Sequence, residues 1–303
     1  MNAVTGPKVA KLLGALLAAY PKHDPFMDRR FQNLSDTDIR ICEELADQIL
    51  KLAGDELDTF IHGYEFICQI LKEEELYFRR NGAYRLTSFQ DALDQVYSNS
   101  DYMAAYMRGL LLTQLFWTNH TQSIGFYTER FLAELPKGAE LLEIGPGHGL
   151  LLARAVKVAG HGRVTGWDVS QSSIDHTRSA LGSLGVKDGF TLEARNLFDL
   201  QTEDFDAVVF SEVLEHLEDP KAALAAIRVL IRPGGRLFLN VPINSPAPDH
   251  IFLLRSPEEA FDLVEGQGFR ILETGCFPAT NYTLEQAARH KLTVSVSMIA
   301  TPA

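Results

Sequence analysis

Cysteine is scarce in this chain. Its three copies in 303 residues, Cys42, Cys68 and Cys276, lie far apart with no CxxC pair. That spacing excludes a cysteine-built metal site and a disulfide scaffold, and reads instead as small buried hydrophobes. Basic side chains are also few: 28 Lys and Arg stand against 40 Asp and Glu, a formal charge of −12. This sign disfavours a general nucleic-acid surface, because phosphate affinity is built from clustered Lys and Arg. A membrane-length apolar run is missing too. The stretch Leu12-Leu13-Gly14-Ala15-Leu16-Leu17-Ala18-Ala19 is too short to cross a bilayer. With Lys8 and Lys11 ahead of it, it also fits a weak signal h-region; no clear cleavage site follows, and we read it as a mature amphipathic helix. Internal repeats and low-complexity segments are absent. What is present is apolar bulk, 46% of residues, enough to build the core of one large domain or two moderate ones.

Two regions with different periods follow one another. Residues 1–135 read as mainly helical. Ser35 or Asp36 caps a helix through Ile39, Ile41, Leu45, Ile49 and Leu52, and a second covers 57–74 with Phe60, Ile61, Tyr64, Ile67, Cys68 and Leu71 on one face. The run Lys72-Glu73-Glu74-Glu75 reads as a solvated helix end. Leu76–Arg80 and Ala83–Thr87 flank Asn81-Gly82, a pair suited to a tight hairpin turn, so a helix–hairpin–helix module of winged-helix type is expected. Residues 102–135 are rich in large side chains, among them Trp117, His120 and Tyr127, and read as core with the alternative of a cover over a ligand cavity. Pro136-Lys137-Gly138 is a turn and the expected boundary between a domain 1–135 and a domain 136–303.

Beyond that boundary the pattern alternates. Strands are expected at 140–144, 163–168, 191–193, 205–210, 236–241, 269–274 and 292–299, with helices between the first five and before the sixth. This predicts an α/β fold: a Rossmann-like, seven-stranded, mostly parallel sheet with helices on both faces. The last strand alternates apolar and hydroxyl residues and reads as an antiparallel edge.

The sharpest local signal is Glu143-Ile144-Gly145-Pro146-Gly147-His148-Gly149, joining the first strand to a helix. It lacks the GxGxxG spacing of dinucleotide loops and the Gly-Lys-Ser/Thr of a P-loop. Downstream come Asp168 at the end of the second strand, Asn196-Leu197, Phe205-Asp206-Ala207-Val208-Val209, Ser211-Glu212-Val213-Leu214-Glu215-His216-Leu217-Glu218-Asp219-Pro220 and Leu230-Ile231-Arg232-Pro233-Gly234-Gly235. In this order and spacing, residues 138–240 resemble a class I S-adenosylmethionine-dependent methyltransferase of the group that includes ubiquinone-biosynthesis enzymes. Gly82-Ala83-Tyr84-Arg85-Leu86-Thr87 in turn resembles the wing of the N-terminal domains of small-molecule O-methyltransferases. The resemblance implies S-adenosylmethionine as cofactor, S-adenosylhomocysteine as product, and no required metal.

It also implies roles. Gly145 and Gly147 let the methionine portion lie against backbone, Glu143 orients its amino group, and Asp168 accepts from both ribose hydroxyls. Val169 packs near the adenine, and Asn196, with Leu197, recognises its edge where the family often has Asp; Asp199 competes for that contact. Ser211 borders the methyl group, and Tyr127 reaches toward the carboxylate or simply packs. Glu212, His216 and His250 are the candidate catalytic groups, with Glu212 and His216 expected on one helical face. Trp117, His120 and Glu215 are the candidate acceptor contacts. The implied reaction is methyl transfer to a small organic acceptor of secondary-metabolite, antibiotic, amino-acid-derived or aromatic type, by a cytoplasmic homodimer. The alternatives are an RNA or protein methyltransferase and a non-enzymatic winged-helix regulator.

Overall fold

The computed structural model describes residues 5–159, 163–199 and 204–303. Its backbone gathers into two compact units, one of Met1–Gly125, Asn244–Leu253 and Phe277–Val294, the other of Phe126–Ile243, Leu254–Cys276 and Ser295–Ala303. The division by chain order, 1–135 and 136–303, is thus crossed by two later segments that return to the first unit.

The first unit is helical. Helix α1 (Pro7–Ala19) buries Val9, Leu12, Leu13 and Leu16, so the early apolar run is one face of a packed helix. Next come α2 (Asp24–Arg30) and α3 (Asp36–Ala53), the latter opened by a reciprocal capping box between Ser35 and Asp38. Helices α4 (Leu57–Asn81), α5 (Phe89–Ala92), α6 (Ser100–Phe116) and α7 (Thr118–Phe126) complete the N-terminal stretch. Helices α4 and α6 come into backbone contact where Gly63 faces Gly109. A Cβ on Gly63 would lie 2.8 Å from the Ala105 carbonyl oxygen, and one on Gly109 would collide with the Gly63 carbonyl.

The expected wing is not formed. Helix α4 continues through Arg80, and Gly82, at φ 67°, donates its N–H to the Phe78 carbonyl at 2.7 Å. The left-handed glycine here closes a helix instead of turning a hairpin. Burial of Tyr64, Ile67 and Phe78 on one face gives the helical period its advantage over the local strand preference. Tyr84 and Leu86 are buried all the same, outside any strand. The charge run at 72–75 lies inside α4, not at its end. Glu74 is buried there because Arg85 Nε donates to both its oxygens, at 2.9 and 3.1 Å.

The second unit is built on a seven-stranded sheet. Its strands are β1 (Leu141–Ile144), β2 (Val164–Asp168), β3 (Phe190–Ala194), β4 (Phe205–Ser211), β5 (Ile231–Ile243), β6 (Phe269–Pro278) and β7 (Val294–Pro302), in the order β3-β2-β1-β4-β5-β7-β6. The pairs β1–β2, β1–β4, β2–β3 and β4–β5 are parallel. Helices α8 (Leu150–Ala159), α9 (Gln171–Ser183), α10 (Pro220–Leu230) and α11 (Pro257–Glu265) flank it, and α12 (Leu284–His290) precedes β7. The described part of the β3–β4 connection makes turns, not the helix expected there.

Strand β7 is an interior strand, not an edge. Its hydroxyl side chains are buried because each finds a partner: Ser297 Oγ donates to Asn240 Oδ1 at 3.0 Å and Thr301 Oγ1 to the Gly235 carbonyl at 2.9 Å. Thr301 meets the start of β5 and Ser297 a later residue, so β7 runs against β5 as its alternation implied. Among the described residues no helix is long and apolar enough to cross a membrane.

The Gly63–Gly109 contact generates a prediction. Gly109→Ala should lower stability by about 1–3 kcal/mol through overpacking against backbone. Gly125→Ala, whose added methyl meets nothing within 4 Å, should leave it unchanged or slightly raised. Thermal denaturation of the two variants checks the contrast.

Candidate active site

Parallel pairing fixes where the candidate residues gather in the second unit. Ile144 at the end of β1 is level with Trp167 of β2 and with Phe210 of β4. The residues that follow, Gly145, Asp168 and Ser211, therefore leave the same edge of the sheet. Chain order reverses between β1 and β4, and an open α/β sheet binds its ligand outside the carboxyl ends at such a point.

The loop after β1 is strained in a way only glycine accepts cheaply. Gly145 and Gly147 have φ of 71° and 49°. Gly145 N–H donates to the Trp167 carbonyl at 2.8 Å, tying the loop to β2. A Cβ on Gly145 would sit 2.8 Å from Val213, whereas at Gly147 it would meet nothing within 4 Å. Gly147 thus faces open space, while its carbonyl accepts from Thr177 of α9 at 2.8 Å.

Glu143 lies one residue before the strand end, buried, and its Oε2 has no hydrogen-bond partner. Burial pushes this carboxyl up to about 8. Asp168 is half-buried; Oδ1 accepts from Ser170 N–H at 2.9 Å. Burial raises its carboxyl too, opposed by the backbone N–H groups of Ser170 and Val169. Val169 beside it is 69% exposed, a large apolar side chain facing out at the rim of the site. Asn196 spends its amide oxygen on the N–H of Phe198, at 3.0 Å, and Leu197 is buried. Tyr127 is fully buried against Phe238 and Phe131; its hydroxyl donates to the Leu151 carbonyl at 3.4 Å and feels the charges of Glu143 and Arg154.

The segment after β4 departs from expectation. Glu212 and His216 do not share a helical face, because Glu212 sits at φ 54° and only a single 3-10 turn, Leu214–His216, follows. The left-handed residue turns the chain sharply out of the strand, at a cost a non-glycine residue bears only when its surroundings hold it. Asn240 of β5 is what holds it: Nδ2 donates to Glu212 Oε1 at 2.6 Å, and the Asn240 carbonyl accepts from Glu212 N–H at 2.9 Å. Burial raises the Glu212 carboxyl, countered by hydrogen bonds to Asn240 and to the neighbouring Glu215. Glu215 is buried, and its Oε1 lies 3.9 Å from His216 Nε2. Asn240 was missed in the sequence, although an amide inside Leu237-Phe238-Leu239-Asn240-Val241 was a signal that a buried polar partner was needed.

His250, Trp117 and His120 belong to the helical unit. His250 is buried; its Nδ1 lies 2.7 Å from the Ser245 carbonyl and its ring 6.0 Å from that of Tyr84. A carbonyl only accepts, so Nδ1 carries the hydrogen and, in the neutral ring, Nε2 holds the lone pair. Tyr97, unremarked in the sequence, and Tyr106, one of the large side chains of 102–135, donate to Asp249, at 3.2 and 3.1 Å, fixing the residue beside His250. Tyr84 accepts from Ser245 N–H at 2.9 Å. Trp117 Nε1 donates to Tyr64 at 3.1 Å. His120 pairs with Thr113 at 3.0 Å, and burial lowers its imidazole to about 4, so it stays neutral at physiological pH.

Residues 142–237 match the model of a methyltransferase domain family. A ubiquinone biosynthesis O-methyltransferase of Coxiella burnetii is 30% identical over 129 residues, 42% of this chain and 53% of that protein. A protein of the same name from Xanthomonas axonopodis pv. citri is 34% identical over 113 residues, 37% of this chain and 46% of that one. The chain thus spans about half the length of the curated relatives it matches. Among solved structures, the mitomycin 7-O-methyltransferase MmcR superposes with a TM-score of 0.54 at 16% identity, over 83% of this chain and 72% of that one. The S-adenosylmethionine-dependent methyltransferase SibL superposes equally well, at 13% identity over 82% and 74%. The fold is that of the class I S-adenosylmethionine-dependent methyltransferases, with a helical N-terminal extension.

The solitary Glu143 carboxyl sets a pH dependence. Its folded value, about 8, lies above the unfolded one, so its contribution to stability is full below about 4.5 and is lost as pH rises through 8. Glu143→Gln removes that ionisation. The variant should gain melting temperature over the parent progressively between pH 5 and 9, measured by thermal denaturation without ligand.

Proposed function

We propose that this chain transfers a methyl group from S-adenosylmethionine to a small organic acceptor. The observation that carries the reading is the juxtaposition, at one edge of the sheet, of an open glycine loop, a buried carboxyl with an unmatched oxygen and a half-buried acid. The cofactor fits these groups chemically. Its ammonium supplies the cationic donor that Glu143 Oε2 lacks, and its ribose supplies hydroxyl donors for Asp168, whose carboxylate has acceptor capacity beyond the backbone bonds it already makes. The open side of Gly147 leaves room for the methionine portion, and exposed Val169 gives an apolar surface for the adenine. When bound, the cofactor supplies an electrophilic methyl on a positively charged sulfur.

The chain's own residues then align, exclude water and manage a proton. Asn196 and Leu197 border the adenine side, and Ser211 with Glu212 the methyl side. Tyr127 packs behind Glu143 and keeps its surroundings dry, which strengthens the carboxylate's hold on a cation. Glu212 is fixed by Asn240, so it lines the site in one conformation, with Glu215 supporting His216. His250 is the favoured base: the Ser245 carbonyl holds the tautomer whose Nε2 accepts a proton from an acceptor hydroxyl or amine. His216 is the second candidate. Trp117 and His120 are the proposed acceptor contacts, His120 as a neutral polar group. The acceptor is of secondary-metabolite type, as in antibiotic biosynthesis, and the working form is a cytoplasmic homodimer with no metal.

Two measurements test the reading. Asp168→Ala should weaken S-adenosylhomocysteine binding by about tenfold or more, the loss of hydrogen bonds to a charged acceptor. Titration calorimetry with unchanged affinity would contradict the placement of the ribose. His250→Ala should lower methyl transfer by about 10²–10⁴-fold with little change in cofactor affinity, and should flatten the acidic limb of the pH–rate profile. If the larger loss follows His216→Ala instead, the base is His216; unaltered turnover in both removes a histidine base from the mechanism.

A further inference from the structure

Arg30 ends α2 in the helical unit and is only 3% exposed. All its hydrogen bonds among the described residues leave through Nη2: to the Leu115 carbonyl at 2.9 Å, the Thr121 hydroxyl at 2.9 Å and the Cys42 sulfur at 3.7 Å. Its Nε is buried without a hydrogen-bond partner, and among the described residues no carboxylate lies in ion-pair contact with it. Leu115 lies in the last turn of α6, whose negative pole offsets part of the guanidinium charge, equivalent to about half a unit. The Phe31 ring, 4.7 Å from the guanidinium carbon, and the charge of Asp38 offset more of it, but neither supplies an acceptor to Nε. A guanidinium does not relieve this by losing its proton, since it stays charged under all ordinary conditions.

Arg30 also lines a cleft of about 220 Å³, all within the helical unit, with Arg29, Gln32, Thr121, Gln122 and Asn281 among its walls. The acid on its rim, Asp38, is already engaged: its Oδ2 accepts from the N–H and the hydroxyl of Ser35, at 3.1 and 2.6 Å, in the cap of α3. The walls therefore offer donors and a buried cation in a space too small for a macromolecule. We propose that this cleft binds a compact oxyanion, a phosphate or carboxylate group on a small molecule, anchored by the Arg30 guanidinium. Neither the fold nor the methyl-transfer reading requires such a site, and it is independent of both. An oxyanion is the chemistry matched to it, because a planar guanidinium pairs with carboxylate and phosphate through charge-assisted hydrogen bonds.

The test is thermal denaturation of the full chain in sodium phosphate, sodium citrate and sodium chloride at matched ionic strength. Phosphate or citrate should raise the melting temperature saturably, by several degrees, where chloride does not. Arg30→Met, which keeps the apolar stem, should abolish that dependence while circular dichroism shows unchanged helicity. A shift of equal size in parent and variant, or none above chloride in either anion, overturns the proposal. Should Arg30→Met fail to fold, Gln122→Glu places a carboxylate on the half-buried wall of the cleft. It should weaken the anion effect at least fivefold, and an unaltered effect in that variant equally overturns the site. A response to phosphate alone supports a phosphate-bearing ligand, and one to citrate alone a carboxylate.

Discussion

A single constraint organises the second unit: β1 is hydrogen-bonded in parallel to β2 on one side and to β4 on the other. Parallel neighbours present their carboxyl ends together, so three loops that are distant in sequence must start within two strand spacings of each other, about 10 Å. The interior of the sheet is apolar and rigid, which leaves chemistry to the loops. The placement proposed for the cofactor follows from this geometry. Glu143 is buried because it still belongs to the strand, Gly145 is free to turn because it no longer does, and Asp168 and Ser211 stand at the matching points on either side.

The site is also a place where the fold tolerates unfavourable local choices. A buried carboxyl with an unmatched oxygen, three left-handed glycines in five residues and a left-handed Glu212 all lie at one sheet edge. Each alone costs stability; together they make a surface whose polar groups would gain partners from the cationic, hydroxyl-bearing cofactor we propose. Asn240 shows how such a feature is secured. Its amide links the turn after β4 to Ser297 of β7, so that a residue with no exposed surface to speak of sets the direction of one that lines the site.

All seven strands overlap the runs expected from the sequence; the central ones, β1, β2, β4 and β5, were legible because parallel strands buried on both faces are short apolar runs bounded by turns. The glycine loop and the acid closing β2 were legible for a related reason: each sits directly after such a run, so its position in the fold is fixed by its position in the chain. What failed depended on tertiary partners. Asn81-Gly82 suits a hairpin and a helix end equally, and only the burial of Phe78 and Tyr64 decides between them. Strand β7 looked like an edge because Thr293, Ser295 and Ser297 alternate with apolar residues, and the partner that allows Ser297 its burial, Asn240, lies more than fifty residues away. The helical face expected for Glu212 and His216 assumed a backbone that Asn240 overrides.

The helical unit is not contiguous in the chain. Its first 125 residues are joined by Asn244–Leu253 and Phe277–Val294, which bring Asp249 to Tyr97 and Tyr106 and Asn281 to the carbonyl of Phe26. During synthesis from the N-terminus, the early helices emerge long before these closing segments exist. Their last contacts form only after Val294 has been made, by which time β1 to β5 are already available to pair. No single cut therefore separates the two units intact, and completion of the first is coupled to the order in which the second is made.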